Sequence, residues 1–142
     1  MKRILVDTGH WVGAFYKRDN FKWRKLGKIF MKWFDIQDKN NSQIIITYGI
    51  LTEVIARLIT KTDFKLANKV LNFFLKSDKI IIYNDTHKYE DEIFKIFRKY
   101  EDLTLVDAEI VVRYFSLKCD YLISTADEFN KCSGLSCLKI PI

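Results

Sequence analysis

The sequence predicts an α/β domain with a mainly parallel sheet. Short runs of β-branched residues alternate along the chain with longer segments whose apolar residues recur at helical spacing. This alternation is typical of a parallel sheet covered by helices. The short runs are also apolar at successive positions, as expected for strands that are buried on both faces.

Five segments have the composition of strands and six have the periodicity of helices. The predicted strands are residues 4–6, 44–47, 79–83, 120–124 and 138–140. The predicted helices are residues 8–16, 21–34, 48–59, 64–75, 87–100 and 105–117. In the second of these helices Leu26, Ile29, Phe30 and Trp33 lie three and four residues apart, which predicts one buried stripe.

The length of 142 residues fits a single domain, and we assign residues 1–142 to it. A composition with 49% hydrophobic and 15% aromatic residues is ample for a packed core. The three cysteines, Cys119, Cys132 and Cys137, contain no CxxC pair, so free thiols are expected. No apolar run approaches the roughly 20 residues that span a bilayer. The basic N-terminus lacks the apolar stretch of a secretory signal, so we expect a cytosolic protein without membrane contact.

The net charge of +6 is concentrated in one segment. Residues 17–35 contain seven basic and two acidic residues, a balance of +5. Such a stretch favours a polyanionic partner, either RNA or an acidic protein, although a solvated helix face would have the same composition. Lys25, Lys28 and Lys32 share one stripe at helical spacing and are our candidates for RNA binding.

Four acids stand near the ends of predicted strands or the beginnings of predicted helices. Asp7 closes the first strand, Glu53 lies in the helix after the second strand, Asp107 begins the last long helix, and Asp127 follows the fourth strand. In open α/β sheets this edge is where ligands bind. We therefore expect the four carboxylates to converge.

Each acid alone has an ordinary structural explanation. Asp7 could cap a helix, Thr104 and Asp107 have near capping-box spacing, and Glu53 stands four residues before Arg57. Asp127 could likewise cap a short turn.

A cluster of the four carboxylates has a different consequence. Two like charges about 4 Å apart repel by roughly 4 kcal/mol at an effective dielectric of 20, so the cluster would hold a proton or a divalent cation. Oxygen ligands suit Mg²⁺ or Mn²⁺ rather than zinc. The natural chemistry of such a site is phosphodiester hydrolysis.

Three stretches of the sequence resemble the PIN domains, and especially the VapC-like toxin ribonucleases. The opening ILVDTGHWVGAF is similar to the family's first strand and helix, and ITYGILTEVIARL is similar to its second motif. The stretch LTLVDAEIVVRYFSLKCDYLISTADEFNKCSGLSCLKI resembles the third motif, which ends in a strand, Thr-x-Asp-x-x-Phe and a closing strand. The sequence departs from the family at Gly9, His10 and Ala126.

The resemblance implies a central five-stranded parallel sheet flanked by helices. It also implies Mg²⁺ or Mn²⁺ bound by Asp7, Glu53, Asp107 and Asp127, with Thr8 and Thr125 as supporting groups, and cleavage of single-stranded RNA. Members of the family commonly form homodimers. The large apolar side chains of residues 21–34 and 64–75 favour the same assembly.

Three functional hypotheses follow. The first is the ribonuclease toxin of a toxin–antitoxin pair, with a small antitoxin protein that blocks the cleft. The second is an RNA-processing nuclease with the same chemistry. The third is a non-catalytic module that uses the fold to bind RNA or protein.

Overall fold

The computed structural model describes residues 1–16 and 21–139, and it describes residues 21–23 by their backbone alone. The strands are β1 (Arg3–Val6), β2 (Gln43–Thr47), β3 (Ile80–Tyr83), β4 (Tyr121–Ile123) and β5 (Cys137–Leu138). The helices are α1 (Thr8–Phe15), α2 (Phe21–Lys39), α3 (Tyr48–Lys61), α4 (Phe64–Lys76), α5 (Glu90–Lys99) and α6 (Leu105–Ser116). Two short 3-10 turns cover Thr86–Tyr89 and Asp127–Lys131.

The five strands form one sheet in the order β3-β2-β1-β4-β5, and every neighbouring pair is parallel. This confirms the predicted fold class. The chain runs from β1 outward through β2 to β3 and then crosses to β4 on the other side of β1. The strand order therefore reverses between β1 and β4, and in α/β sheets ligands bind at the carboxyl ends of the strands at such a point.

The core lies on both faces of the central strands. Ile44, Ile45 and Ile46 are fully buried, as the continuous apolar run of β2 predicts. On one face Trp11 packs edge-on against Phe30 and Phe74, with ring centroids 5.0 Å away in both cases. The Trp11 indole also donates a hydrogen bond to the carbonyl of Val6, so α1 is held against β1.

Among the side chains that the structure describes, most of the large apolar groups that favoured a homodimer pack inside the molecule. Phe30, Phe34 and Phe74 belong to the core. Phe64, by contrast, is 72% exposed. The expectation of a broad apolar surface on α2 and α4 was therefore wrong for these three residues, because the helices bury them around Trp11.

Helices α1 and α2 cross at very close range. A Cβ atom on Gly27 would lie 2.2 Å from the carbonyl oxygen of Gly13, so only glycine allows this approach. The contact fixes α1 and α2 relative to each other, and a groove opens beside it.

The element boundaries agree with the prediction to within one or two residues, except at the end of α2 and the start of α5. Helix α2 continues to Lys39, because residues 35–39 contain no glycine or proline that would end it, and the chain leaves the helical direction at Asn41 with φ 57°. The predicted helix 87–100 opens as a 3-10 turn and is α-helical from Glu90. Strand β5 covers Cys137–Leu138, and residue 140 of the predicted strand lies outside the described residues.

All three cysteines are free thiols, as predicted. Within the part of the chain that the structure describes, every helix is too short or too polar to cross a membrane.

Candidate active site

A pocket of about 240 Å³ opens at the point where the strand order reverses. Asp7 follows β1 directly, and Thr125 follows β4. Glu53 comes from α3, which begins directly after β2, and Asp107 comes from the first turn of α6. The pocket is lined by Asp7, Thr8, Gly9, Glu53, Arg57, Thr104, Asp107, Thr125 and Ala126.

Asp7 is the most perturbed acid of this pocket. It caps α1, because its Oδ1 accepts a hydrogen bond from the Thr8 backbone N–H at 2.7 Å, and its Oδ2 accepts one from Ser124 Oγ at 2.8 Å. Burial raises the pKa of Asp7 from 3.8 to about 6, although these two hydrogen bonds lower it. The charges of Asp107 and Glu53 raise the same pKa further. The negative charge of the three carboxylates is therefore not balanced within the pocket.

Glu53 is tied to Asp7 through one residue. The Thr8 hydroxyl donates to Glu53 Oε1 at 2.7 Å, while the Thr8 backbone contacts Asp7. Thr47 caps α3 by accepting a hydrogen bond from Ile50 N–H at 3.1 Å, so α3 starts as soon as β2 ends. This early start brings Glu53 to the same edge of the sheet as Asp7.

Asp107 has a structural role in addition to its place in the pocket. Thr104 Oγ1 accepts from Asp107 N–H at 3.1 Å, and Asp107 Oδ2 accepts from Thr104 N–H at 3.0 Å. These reciprocal bonds form a capping box at the start of α6. The capping interpretation of Thr104 and Asp107 is therefore correct, and the cap also fixes the carboxylate at the pocket.

The structure does not bring the fourth predicted acid into the pocket. Asp127 is 77% exposed, and its Oδ1 accepts a hydrogen bond from Lys139 Nζ at 2.6 Å. This hydrogen bond holds the pKa of Asp127 below its usual value. Ala126 lines the pocket in its place.

Ser124 contacts Asp7 directly, although it was not among the predicted site residues. Besides donating to Asp7, Ser124 Oγ accepts a hydrogen bond from Ala126 N–H at 3.0 Å. The sequence did contain a signal. Counted back from the buried Phe129, the pattern Thr-x-Asp-x-x-Phe has its hydroxyl at Ser124 and its acid at Ala126.

His10 does not contribute to the pocket. Its ring is 1% exposed and lies 5.5 Å from the ring of Phe30 between centroids. Burial lowers the pKa of His10 to about 4, so the imidazole is neutral at physiological pH. Arg57, which lines the pocket, is the cation nearest to Glu53, with 3.9 Å between Nη2 and Oε1.

The donor set of the pocket is all oxygen, which fits Mg²⁺ or Mn²⁺. Among the described residues, however, no group of three or more His, Cys, Asp or Glu side chains is arranged to hold a metal ion. Such a pocket suits an ion that keeps several waters and takes only one or two carboxylates directly, as Mg²⁺ commonly does.

No family model matches the sequence, and no curated protein matches it. Solved structures, by contrast, match the fold of this chain. VapC20 of Mycobacterium tuberculosis, a toxin that cleaves the sarcin-ricin loop, superposes with a TM-score of 0.74 and 13% identity over 92% of this chain and 95% of that chain. The chain has the VapC-like PIN-domain fold.

A second VapC-type structure agrees with the first. VapBC2 of Rickettsia felis, bound to a DNA fragment from its promoter, matches with a TM-score of 0.73 and 15% identity over 98% of this chain and 99% of that chain. Because so little of the sequence is shared, the likeness concerns the fold. It confirms the architecture that the resemblance to VapC-like PIN domains implied.

Proposed function

We propose that this protein is a metal-dependent endoribonuclease that cleaves single-stranded RNA and is the toxin of a toxin–antitoxin pair. The observation that carries the proposal is the meeting of Asp7, Glu53 and Asp107 around one pocket of a VapC-like fold. The raised pKa of Asp7 adds to it, because crowded carboxylates with uncompensated charge favour a bound cation.

Each of the three acids is held in position by a neighbouring group. Thr8 N–H and Ser124 Oγ orient Asp7, the Thr8 hydroxyl orients Glu53, and the α6 cap orients Asp107. On this proposal one or two of them bind Mg²⁺ or Mn²⁺ directly and the remaining carboxylate acts through water bound to the ion. When bound, such an ion lowers the pKa of a coordinated water and stabilises the leaving oxygen of the phosphodiester.

Other residues of the pocket act on the substrate. The Thr125 hydroxyl is exposed at the pocket and can orient a water or a phosphate oxygen. The Arg57 side chain is 51% exposed and can donate to a phosphate, as guanidinium groups do well. Asp127 stays in its ion pair with Lys139, so the proposed metal site uses three acids rather than four.

A basic groove beside the pocket supports RNA as the substrate. Lys28 and Lys32 line a groove of about 480 Å³ between α1 and α2 together with Arg24, whereas Lys25 is exposed outside it. Gly9 lines the acidic pocket and Gly13 lines the groove.

These two glycines are four residues apart on one face of α1, so the two openings are separated by about one helical turn, roughly 5–6 Å. We propose that the RNA backbone runs from the basic groove into the acidic pocket.

The proposal includes an antitoxin partner, by analogy with the VapBC2 assembly, and a cytosolic location. A homodimer also belongs to it, although the apolar side chains of α2 and α4 now support it less. One observation favours the alternative of a non-catalytic module. Ala126 lines the pocket where the family pattern has an acid.

An RNA cleavage assay tests the proposal. Purified protein is expected to cleave single-stranded RNA with Mg²⁺ or Mn²⁺ and to stop in EDTA. Asp7→Asn should abolish cleavage, while Asp78→Asn, which makes the same change of charge at an exposed site, should not. Cleavage that persists in EDTA or in Asp7→Asn would contradict the metal mechanism. Growth arrest on expression of the wild type, but not of Asp7→Asn, tests the toxin role.

A further inference from the structure

A second carboxylate is buried away from the acidic pocket. Glu109 lies one turn into α6 and is 4% exposed. Its Oε2 atom is buried and makes no hydrogen bond within the described part of the chain. Buried carboxylates are normally hydrogen-bonded or paired with a cation. The buried Arg113, one turn further along α6, pairs with Asp85 rather than with Glu109, so Glu109 keeps an oxygen that can accept from a further cationic group.

The Glu109 side chain forms part of a groove with apolar walls. The groove has a volume of about 390 Å³ and is lined by Tyr48, Gly49, Thr86, Glu90, Ile93, Phe94, Leu105, Val106 and Glu109. Gly49 leaves space above the carboxylate, since a Cβ atom there would lie 3.4 Å from Glu109 Oε1. The described residues that line this groove are all different from those of the acidic pocket.

The charge around the groove excludes RNA as its occupant. The first turn of α5 carries three acids in succession, Glu90, Asp91 and Glu92, and Glu90 itself lines the groove. The charged residues among those that line the groove, Glu90 and Glu109, are both acidic, in a chain whose net charge is +6. A phosphate would be repelled here, whereas a cation would be attracted.

We propose that this groove binds an arginine side chain of a partner protein, presented between large apolar neighbours. The aliphatic stem would pack on Ile93 and Val106. The guanidinium group would donate to Glu109 Oε1 on the Gly49 side, and a rotation of the carboxylate would bring the buried Oε2 to the same planar fork.

Arginine suits this site better than lysine because the exposed ring of Tyr48 stands at the groove beside that of Phe94, over which Arg98 already lies at 6.0 Å from the ring centroid. Guanidinium stacks on aromatic faces and is less strongly hydrated than ammonium.

A small probe tests the chemistry of the groove first. Butylguanidinium is titrated into the full-length ¹⁵N-labelled protein, with the neutral butylurea as its control. We expect shifts of the Gly49, Ile93 and Val106 amides with butylguanidinium alone. The shifts should disappear in Glu109→Gln and persist in Glu92→Gln, which removes the same charge outside the groove. An equal response of wild type and Glu109→Gln would overturn the proposal.

A second variant provides the test if Glu109→Gln does not fold. Phe94→Ala removes a half-exposed wall of the groove and leaves the core intact. We expect this variant to bind butylguanidinium more weakly while it keeps the native NMR spectrum. Unchanged probe affinity in this variant would also count against the groove.

A displayed library of random helical peptides tests whether the groove binds an arginine that is part of a protein segment. We expect peptides selected on the wild type to share an arginine flanked by large apolar residues. Their affinity should fall about tenfold or more in Glu109→Gln, as for other hydrogen bonds to charged groups. Selected peptides without a basic residue would refute the proposal.

Sedimentation tests whether the groove binds a second copy of this chain instead of a partner protein. If the wild type self-associates and Glu109→Gln does not, the groove holds a second copy of this chain, and the assignment to a partner protein is wrong. Binding of the selected peptides to Asp7→Asn should be unchanged, so this result does not depend on the proposed nuclease activity.

Discussion

Replacement of Asp7 by asparagine is expected to stabilise the metal-free protein above pH 6. The pKa of Asp7 is about 6 in the folded protein, compared with 3.8 for an exposed carboxyl. At roughly 1.4 kcal/mol per pH unit, the ionised carboxylate costs the fold about 3 kcal/mol. Asparagine at position 7 carries no charge and avoids this cost.

The hydrogen bonds of Asp7 can be kept by asparagine. Its amide oxygen can accept from Thr8 N–H, and its amide nitrogen can donate to Ser124 Oγ, which has a second lone pair besides the one used by Ala126 N–H. The net gain at pH 8 should therefore be about 1–3 kcal/mol after small losses of hydrogen-bond strength.

The pH dependence has a definite sign. Because the folded state binds the Asp7 proton more tightly than the unfolded state, the stability of the wild type falls as pH rises from about 4 to 6. The difference between Asp7→Asn and the wild type should vanish below about pH 4 and be complete above about pH 6.

Urea unfolding in EDTA at several pH values measures this difference, and Asp78→Asn serves as the control for loss of charge. Addition of Mn²⁺ should stabilise the wild type and leave Asp7→Asn unchanged. A variant less stable than the wild type at pH 8, or a difference independent of pH, would refute the reasoning.

Three further substitutions probe the pocket and the groove. Ala126→Asp should tighten Mn²⁺ binding about tenfold, because ligand charge sets the affinity of such sites; electron paramagnetic resonance of free Mn²⁺ measures it, and unchanged affinity would argue against a metal site here. Asp107→Ala should lose about 1 kcal/mol of stability in EDTA with the α6 cap, and an unchanged urea midpoint would contradict that. Lys28→Glu with Lys32→Glu should weaken RNA binding to the cleavage-inactive protein and reduce its salt slope by about 1.4, if each lysine neutralises one phosphate. Filter binding measures both effects, and an equal loss in Lys25→Glu would rule out the groove as their cause.

The convergence of Asp7, Glu53 and Asp107 was predictable because it follows from the sheet. Parallel strands end at one edge, and a helix that begins directly after a strand brings its first two turns to the same edge. Asp7 and Glu53 are placed by β1 and β2 in this way, and Asp107 by the cap of α6. Element order was therefore sufficient for Asp7 and Glu53, whereas Asp107 also required the capping signal of Thr104.

Asp127 could not be placed from the element order alone. Beyond the end of a strand, a shift of one residue decides whether a side chain enters the site or faces solvent. Here the hydrogen bonds of Ser124 to Asp7 and to Ala126 bring Ala126 to the pocket. Asp127 is left to pair with Lys139. Only the spacing from Phe129 indicated this register.

Helical periodicity also could not predict the buried aromatic cluster around Trp11. Periodicity identifies an apolar stripe on a helix, but not how many neighbours cover it. Trp11 contacts rings from α2 and α4 at once. Large apolar side chains of α2 and α4 that we expected at the surface therefore pack into a single core.

The alanine at position 126 affects how the proposed metal and RNA depend on each other. A pocket with three acids holds a cation less tightly than one with four, because less negative charge and fewer ligands face the ion. Mg²⁺ commonly completes its shell with water and substrate phosphate. On our proposal, an RNA phosphate delivered through the groove of Lys28 and Lys32 occupies the part of the shell that an acid at position 126 would take. Binding of the metal then strengthens binding of the RNA by the same factor as the reverse. On our proposal, this protein would therefore hold its metal ion firmly only when RNA is bound.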